Sequence, residues 1–384
     1  MKSNPHFFIF GYFGWYNLGD DAIGLSIIKK LKDHYPDSTF TITCNNKYFL
    51  DNINKLSNSK DFRIIKINIL EIIQSILKSD YFIIAGGTHF HDEDQLKLRR
   101  FKILLYFVIL TTFSRSVSKS PFLFSHGIGP ITTSWARLLI QIILSNSNKI
   151  FVRDIDSYNL VSLLGYNNNC IHGFDCTATL IEENLDIGSY STNPRNQKII
   201  GISLIPFYEI YTNNNKNDLE IVRSLSICLD SILKQDKDIK LNLFAFRSGS
   251  KHSDVPILEA LMKNINYSRD AINIFHYAGD IDIFLKLISD CDFFIGMRYH
   301  ASLFAYLFNK PQIILDYMGK CNSLGRDIAI NPNAIVSINE IWTLGFCDKI
   351  QSLLINPDQF IANLHVDSAI MRANKMFDNL GEYL

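Results

Sequence analysis

Short apolar runs of strand length recur along the chain, each ended by glycine or polar residues and followed by a segment with helical spacing. Runs 6–10, 40–44, 81–85, 121–124 and 150–152 read as strands in the first half, with helices over 23–31, 69–77 and 157–164 between them. A polar stretch over 182–197, without apolar periodicity, reads as an interdomain linker. Strands over 198–204, 240–246, 272–276, 293–295 and 313–315 then alternate with helices over 218–233, 256–262, 281–288 and 301–308, and the chain is helical again from residue 338. Strand alternating with helix predicts α/β architecture with doubly wound parallel sheets.

At 384 residues the chain exceeds the size at which one core stops growing. The pattern therefore predicts two Rossmann-like domains facing a cleft, over 1–185 and 198–340, with helices from 341–384 packing back across the molecule. A hydrophobic fraction of 47% is enough to bury both cores.

Candidate chemistry gathers at the predicted carboxyl ends of strands. After run 293–295, Gly296 breaks the apolar pattern just before Arg298 and His300, and run 313–315 delivers Asp316, Tyr317 and Lys320. Each cation alone reads as a surface ion-pair partner, but three converging from adjacent strand ends suit a dianion carrying phosphate or carboxylate. Arg247 stands at the end of run 240–246 in the same manner.

In the first half, Gly11, Gly14, Asn17, Gly19, Asp20 and Asp21 form a glycine-rich loop between strand and helix, a natural ligand cradle. Neither a dinucleotide fingerprint nor a P-loop is present, and helix capping is the competing role for Asp20 and Asp21. A second loop runs from Gly86 and Gly87 to Asp94; its His89, His91, Asp92 and Asp94 match no zinc spacing, so no metal is expected.

Charge and cysteine usage narrow the classes. Lys+Arg 38 against Asp+Glu 38 gives zero net charge, and with no nucleic-acid motif no nucleic-acid partner is expected. Seven cysteines lack any C-x-x-C pair and are expected to be reduced thiols in a cytoplasmic protein; the amino terminus leads straight into a strand, so secretion is not inferred. Segment 96–115 has an apolar run of about ten residues between Lys97, Arg99, Arg100 and Lys102 on one side and Arg115 on the other. It falls short of the roughly 20 residues of a bilayer span. Length favours a buried core helix, and an interfacial helix on anionic lipid is the alternative.

The loop Gly11-Tyr12-x-Gly14-x-x-Asn17-x-Gly19-Asp20, the Gly86-Gly87 pair, Gly127-x-Gly129-Pro130 and Arg153-Asp154-x-x-Ser157 together resemble the polysaccharide pyruvyl transferase family. The most specific part is Gly296-Met297-Arg298-x-His300-Ala301, followed by Ala305, Lys310-Pro311 and Tyr317-x-x-Lys320. Thr88-His89 is a departure, since the family more often continues its glycine run there. The resemblance implies a GT-B-type fold and transfer of the pyruvyl group of phosphoenolpyruvate onto sugar hydroxyls of a cell-surface polysaccharide or its lipid-linked precursor, with no cofactor. It implies His300, Arg298 and Asp20 as catalytic residues, and Arg298, His300, Lys320, Arg247 and Tyr317 around the donor. Asn17, Asp20, Asp21, His89 and Arg153 are expected at the acceptor, and a glycan or lipid-linked oligosaccharide as partner, met at the inner face of the membrane. The alternatives are a nucleotide-sugar glycosyltransferase on the same architecture and a non-catalytic glycan-binding protein.

Overall fold

The computed structural model describes residues 4–55, 59–92, 97–182, 197–249, 252–266 and 269–384. Most of the expected linker, 183–196, lies outside the described residues, as do Asp94 and Leu96. The chain forms two compact units: the first takes Gly19–Glu182, the residues up to Trp15, and Ala369–Leu384, and the second takes Tyr16–Leu18 and the rest up to Ser368.

The first unit contains β1 (His6–Phe13), α1 (Leu18–His34), β2 (Thr39–Cys44), α2 (Tyr48–Asn54), β3 (Phe62–Ile65), α3 (Ile69–Lys78) and β4 (Tyr81–Phe90). It continues with α4 (Lys97–Ser116), β5 (Phe122–Ile128), α5 (Ser134–Asn146), β6 (Lys149–Val152), α6 (Ile155–Leu163), β7 (Cys170–His172) and α7 (Thr179–Glu182). Its seven strands are parallel in the order β3-β2-β1-β4-β5-β6-β7. Strands covered on both faces have no polar side to alternate with, which is why Phe7, Phe8, Ile9 and Phe10 of β1 are all buried.

The second unit contains β8 (Lys198–Ser203), α8 (Phe207–Thr212), α9 (Lys216–Gln235), β9 (Ile239–Ala245), α10 (Val255–Asn264), β10 (Ile272–His276) and α11 (Ile281–Ser289). There follow β11 (Phe293–Gly296), α12 (Tyr299–Leu307), β12 (Gln312–Asp316), α13 (Lys320–Asp327), β13 (Ile335–Ser337) and α14 (Leu344–Ile355). The sheet is again parallel, in the order β10-β9-β8-β11-β12-β13. Both sheets reverse strand order once, between β1 and β4 and between β8 and β11, and it is at the carboxyl side of such reversals that open α/β sheets hold ligands.

Two expectations are corrected. Gly11, Gly86 and Gly87 do not end their strands: β1 runs through Gly11 to Phe13 and β4 through Gly86 and Gly87 to Phe90. At Gly86 a Cβ would lie 2.1 Å from the Ser125 carbonyl oxygen, so glycine there lets β4 and β5 approach. The cysteines are not all reduced thiols: Cys228 of α9 and Cys347 of α14 form a disulfide across 119 residues of sequence, a pairing that spacing alone does not show. The terminal helices belong to different units. α14 stays with α9, whereas α15 (Val366–Gly381) has most of its length in the first unit, where Phe377 packs on Phe124 at 4.7 Å and Arg372 donates to the Gly173 carbonyl at 2.7 Å.

Candidate functional site

In the second unit, β11 ends at Gly296, and α12 begins three residues later with Arg298 as its N-cap. Glycine is required at 296: a Cβ would sit 2.4 Å from the Ser302 hydroxyl, against the first turn of that helix. The Arg298 guanidinium is largely buried and pairs with Asp254, its Nε donating to Oδ1 at 3.0 Å and Oδ2 at 2.8 Å and its Nη2 also to Oδ1. Asp254 is fully buried and also accepts the Arg247 backbone N–H at 2.9 Å. Burial works to raise the Asp254 carboxyl, and the Arg298 and Arg247 charges oppose it. Burial likewise works against the Arg298 charge, which the Asp254 carboxylate more than restores. The charges of Arg298 and Arg247 thus both act on this one carboxylate, at the ends of β11 and β9.

The neighbouring loops add aromatic walls. Tyr317 follows β12, is buried against Phe207 of α8 with ring centroids 5.2 Å apart, and has its phenol pushed well above the ordinary range by burial, so it stays protonated. Lys320 opens α13 with its ammonium 5.0 Å from the Tyr317 ring centroid. Tyr211 of α8 acts electrostatically on both Tyr317 and Arg298. His300 lies in the first turn of α12, its ring 5.2 Å from Tyr299 and 6.2 Å from Phe304, with Nε2 buried. At the end of β8, the fully buried Ser203 hydroxyl has no hydrogen-bond partner among the described residues. The structure therefore gathers Arg247, Arg298, His300, Tyr317 and Lys320 on neighbouring strand ends. Sequence reasoning missed Asp254, Tyr211 and Ser203. In sequence, Ser253-Asp254-x-Pro256 is the signature of a helix start, yet the Asp254 side chain makes no capping bond and turns to Arg298 instead.

Asn17 is not grouped with the first unit's loops: it forms an antiparallel bridge with Arg247, flanked by Leu18 N–H to the Phe246 carbonyl at 2.9 Å and Ser248 N–H to the Tyr16 carbonyl at 3.0 Å.

At the first unit's reversal point, Tyr12 of β1 and His89 of β4 have ring centroids 5.1 Å apart. Burial pushes His89 down to about 4, opposed by Asp20 and assisted by Arg100 and Arg153. Burial also raises the Tyr12 phenol, with Asp20 adding to it. His89 is therefore a neutral imidazole at neutral pH, and Asp20, in the first turn of α1, is a half-exposed carboxylate close enough to act on both.

Two residues expected at the acceptor have structural work instead. Asp21 is fully buried, accepting Gly14 N–H at 2.8 Å and the Tyr48 hydroxyl at 2.7 Å, and so ties the turn after β1. Arg153 is also buried, with Nη1 on Asp175 at 3.0 Å and Nη2 on the Thr88 hydroxyl at 3.2 Å, so it holds the β4 end in place from behind. Asp154 and Ser157 complete that motif as a helix cap, Asp154 accepting both Ser157 N–H and Oγ–H. Asp92 is likewise occupied, accepting Thr132 and Thr133 N–H at 2.7 and 2.6 Å.

Comparison with known proteins agrees with this architecture. Over 99% of its length the chain superposes on 96% of the S. aureus MnaA–UDP structure with a TM-score of 0.64 at 10% identity. The UDP-GlcNAc 2-epimerase of Neisseria meningitidis bound to UDP-GlcNAc gives 0.62 at 12% identity, over 99% of this chain and 100% of that one. The Methanocaldococcus jannaschii UDP-GlcNAc 2-epimerase gives 0.64 at 13% identity, over 98% and 99%. At such identities the likeness is one of fold, which is GT-B-like. No curated protein sequence matches the chain. The polysaccharide pyruvyl transferase family model matches residues 17–318, a span that takes in Asn17, His89, Arg298, His300 and Tyr317 and stops just short of Lys320. Matched over well more than half its length, the chain belongs to the polysaccharide pyruvyl transferase family, a family of transferases.

Proposed function

We propose that the protein transfers the pyruvyl group of phosphoenolpyruvate onto two hydroxyls of a sugar in a cell-surface polysaccharide or its lipid-linked precursor, closing a cyclic ketal. The observation that supports this reading is a gathering of cations at strand ends of one sheet: Arg298 is held in place by the buried Asp254, the Arg247 charge acts on the same carboxylate, and Lys320 opens the helix after β12. A donor with both phosphate and carboxylate fits such a cluster, and arginine forks suit both groups.

In the proposed reaction a proton is delivered to C3 of phosphoenolpyruvate as one sugar hydroxyl oxygen bonds to C2 and loses its proton. The C2–O bond to phosphate then breaks, phosphate leaving with the electron pair, and the second hydroxyl adds to C2 with loss of its proton. His300, in the first turn of α12 beside Arg298, is the proton donor. Arg298 and Arg247 take the growing phosphate charge, and the protonated Tyr317 phenol supplies a neutral donor. Asp20 is the base for the attacking hydroxyl, and the neutral His89 imidazole serves as hydrogen-bond partner to the sugar.

The test is to incubate the protein with an acceptor glycan and either phosphoenolpyruvate or a panel of sugar nucleotides. Inorganic phosphate release with a pyruvyl mass gain on the glycan supports the reading. Nucleotide release with a glycosyl mass gain replaces it with a glycosyltransferase, and inertness to both leaves a glycan-binding role.

A further inference from the structure

No helix among the described residues is long and apolar enough to cross a membrane. The outer face of the first unit is nevertheless unusual. α4 buries Leu104, Phe107 and Leu110 in the core shared with α3 and α5. On its other side it leaves Leu98 69%, Phe101 37%, Leu105 37% and Ile109 56% exposed. Their spacing of three, four and four residues puts all four on one helical stripe. Phe101 meets Trp135 of α5 at 5.5 Å, and α5 extends the stripe with Leu138, 59% exposed.

The charge on this face has one sign. α4 and α5 together carry Lys97, Arg99, Arg100, Lys102, Arg115 and Arg137 and not a single carboxylate. At the head of α4 lies a cavity of about 920 Å³, large enough for a ligand. Its rim is Lys97, Arg99 and Lys102, all exposed, and its apolar wall includes Tyr12, Ile67 and Ile103. No described carboxylate pairs with those three cations. The positive end of the helix dipole lies at the same place.

We infer that this face docks on an anionic bilayer, with the phosphate of a lipid head group held in the cavity by Lys97, Arg99 and Lys102 and the lipid's apolar part against Leu98, Phe101, Leu105 and Ile109. A free small anion would account for the cations but would leave the stripe uncovered. A neutral apolar partner would cover the stripe and leave three cations facing it unpaired. An anionic lipid satisfies both. The choice between core helix and interfacial helix thus resolves by face, one side of α4 doing each job. Tyr12 belongs both to the cavity wall and to the pair with His89, so a docked head group lies beside the residues proposed for the acceptor, although the docking itself does not depend on that reading.

The test is flotation of the full chain with phosphatidylcholine vesicles, with and without phosphatidylglycerol, at low and high salt. The expected result is binding only to the phosphatidylglycerol vesicles, lost at high salt. With Lys97, Arg99 and Lys102 all changed to Glu, binding should weaken by about 100-fold or more, at roughly one charge's surface attraction per residue. The double variant Leu98→Ser, Ile109→Ser should weaken binding with the cations intact. These side chains are exposed, so the variants should keep the wild-type melting curve. Equal binding to neutral vesicles overturns the inference. So does absence of vesicle binding, whether inorganic phosphate alone binds in titration calorimetry or the chain self-associates through the stripe.

Discussion

Where the first sheet reverses its strand order, Tyr12 and a neutral His89 face each other at 5.1 Å, and Arg153 is spent on Asp175 and Thr88 behind them. Where the second reverses, the Arg298 guanidinium and the Arg247 backbone N–H both bond to the Asp254 carboxylate, and Tyr317, His300 and Lys320 follow the neighbouring strands β11 and β12. The two strand orders are equivalent, so topology locates both places without deciding what binds there. The side chains decide. A neutral imidazole and a phenol offer hydrogen bonds without net charge, which suits hydroxyls, while a cluster of cations suits a dianion. The proposed function gives two similar scaffolds unlike partners.

The comparison breaks most visibly if the two buried arginines are exchanged in role. Asp254→Ala leaves Arg298 buried without its carboxylate and should destabilise the second unit by about 3–5 kcal/mol, read by urea denaturation. Arg298→Ala should lower transferase activity by about 100-fold or more, the scale of a lost charge-stabilising donor. Arg153→Ala should cost stability on a similar scale, again about 3–5 kcal/mol, by stranding Asp175 in the first unit. If Arg153→Ala folds, its affinity for phosphoenolpyruvate should be unchanged, and a matched loss in both arginine variants would dissolve the contrast.

A smaller difference is covalent. The second unit carries the Cys228–Cys347 link and no disulfide is found in the first among the described residues. Cys228→Ser should therefore lower the stability of the second unit by about 2–4 kcal/mol while leaving the first unit's transition in place, and adding reductant to the wild type should do the same.

A further difference should be pH dependence in the first unit. Burial holds His89 at about 4 and His126 at about 3, both below the ordinary 6.5. Between those values and 6.5 the unfolded chain binds more protons than the folded one, so stability falls as pH drops through that window and levels off below about 3. Denaturation followed from pH 7 to 4 should show the first unit losing stability with an uptake of up to about two protons from this pair. His126→Gln should reduce that slope.

Much of the fold was legible because parallel strands buried on both faces must be apolar throughout, as the runs around Phe8, Ile83 and Ile295 are. Short strands such as β3, β7 and β13, of three or four residues, leave too little pattern to read. At the site, Arg298 and His300 were legible because Gly296 interrupts an apolar run directly before them. Asp254 was hidden behind a helix-start signature 44 residues away from the arginine it meets. Arg153 and Asp21 looked like ligand contacts because a charge beside a strand end reads the same whether it faces a cleft or a buried partner; only tertiary packing supplies Asp175 and Tyr48. The Cys228–Cys347 link is invisible for the same reason, since no local rule joins residues 119 apart.

The most direct measurement is calorimetric titration of phosphoenolpyruvate into the wild-type protein, Arg298→Ala and Arg153→Lys. The account expects saturable binding by the wild type and Arg153→Lys and at least about tenfold weaker binding by Arg298→Ala, in keeping with a charged hydrogen-bond pair of about 1.5–3 kcal/mol. Undiminished binding by a folded Arg298→Ala, or binding lost only in Arg153→Lys, would contradict the assignment of the donor to the second unit.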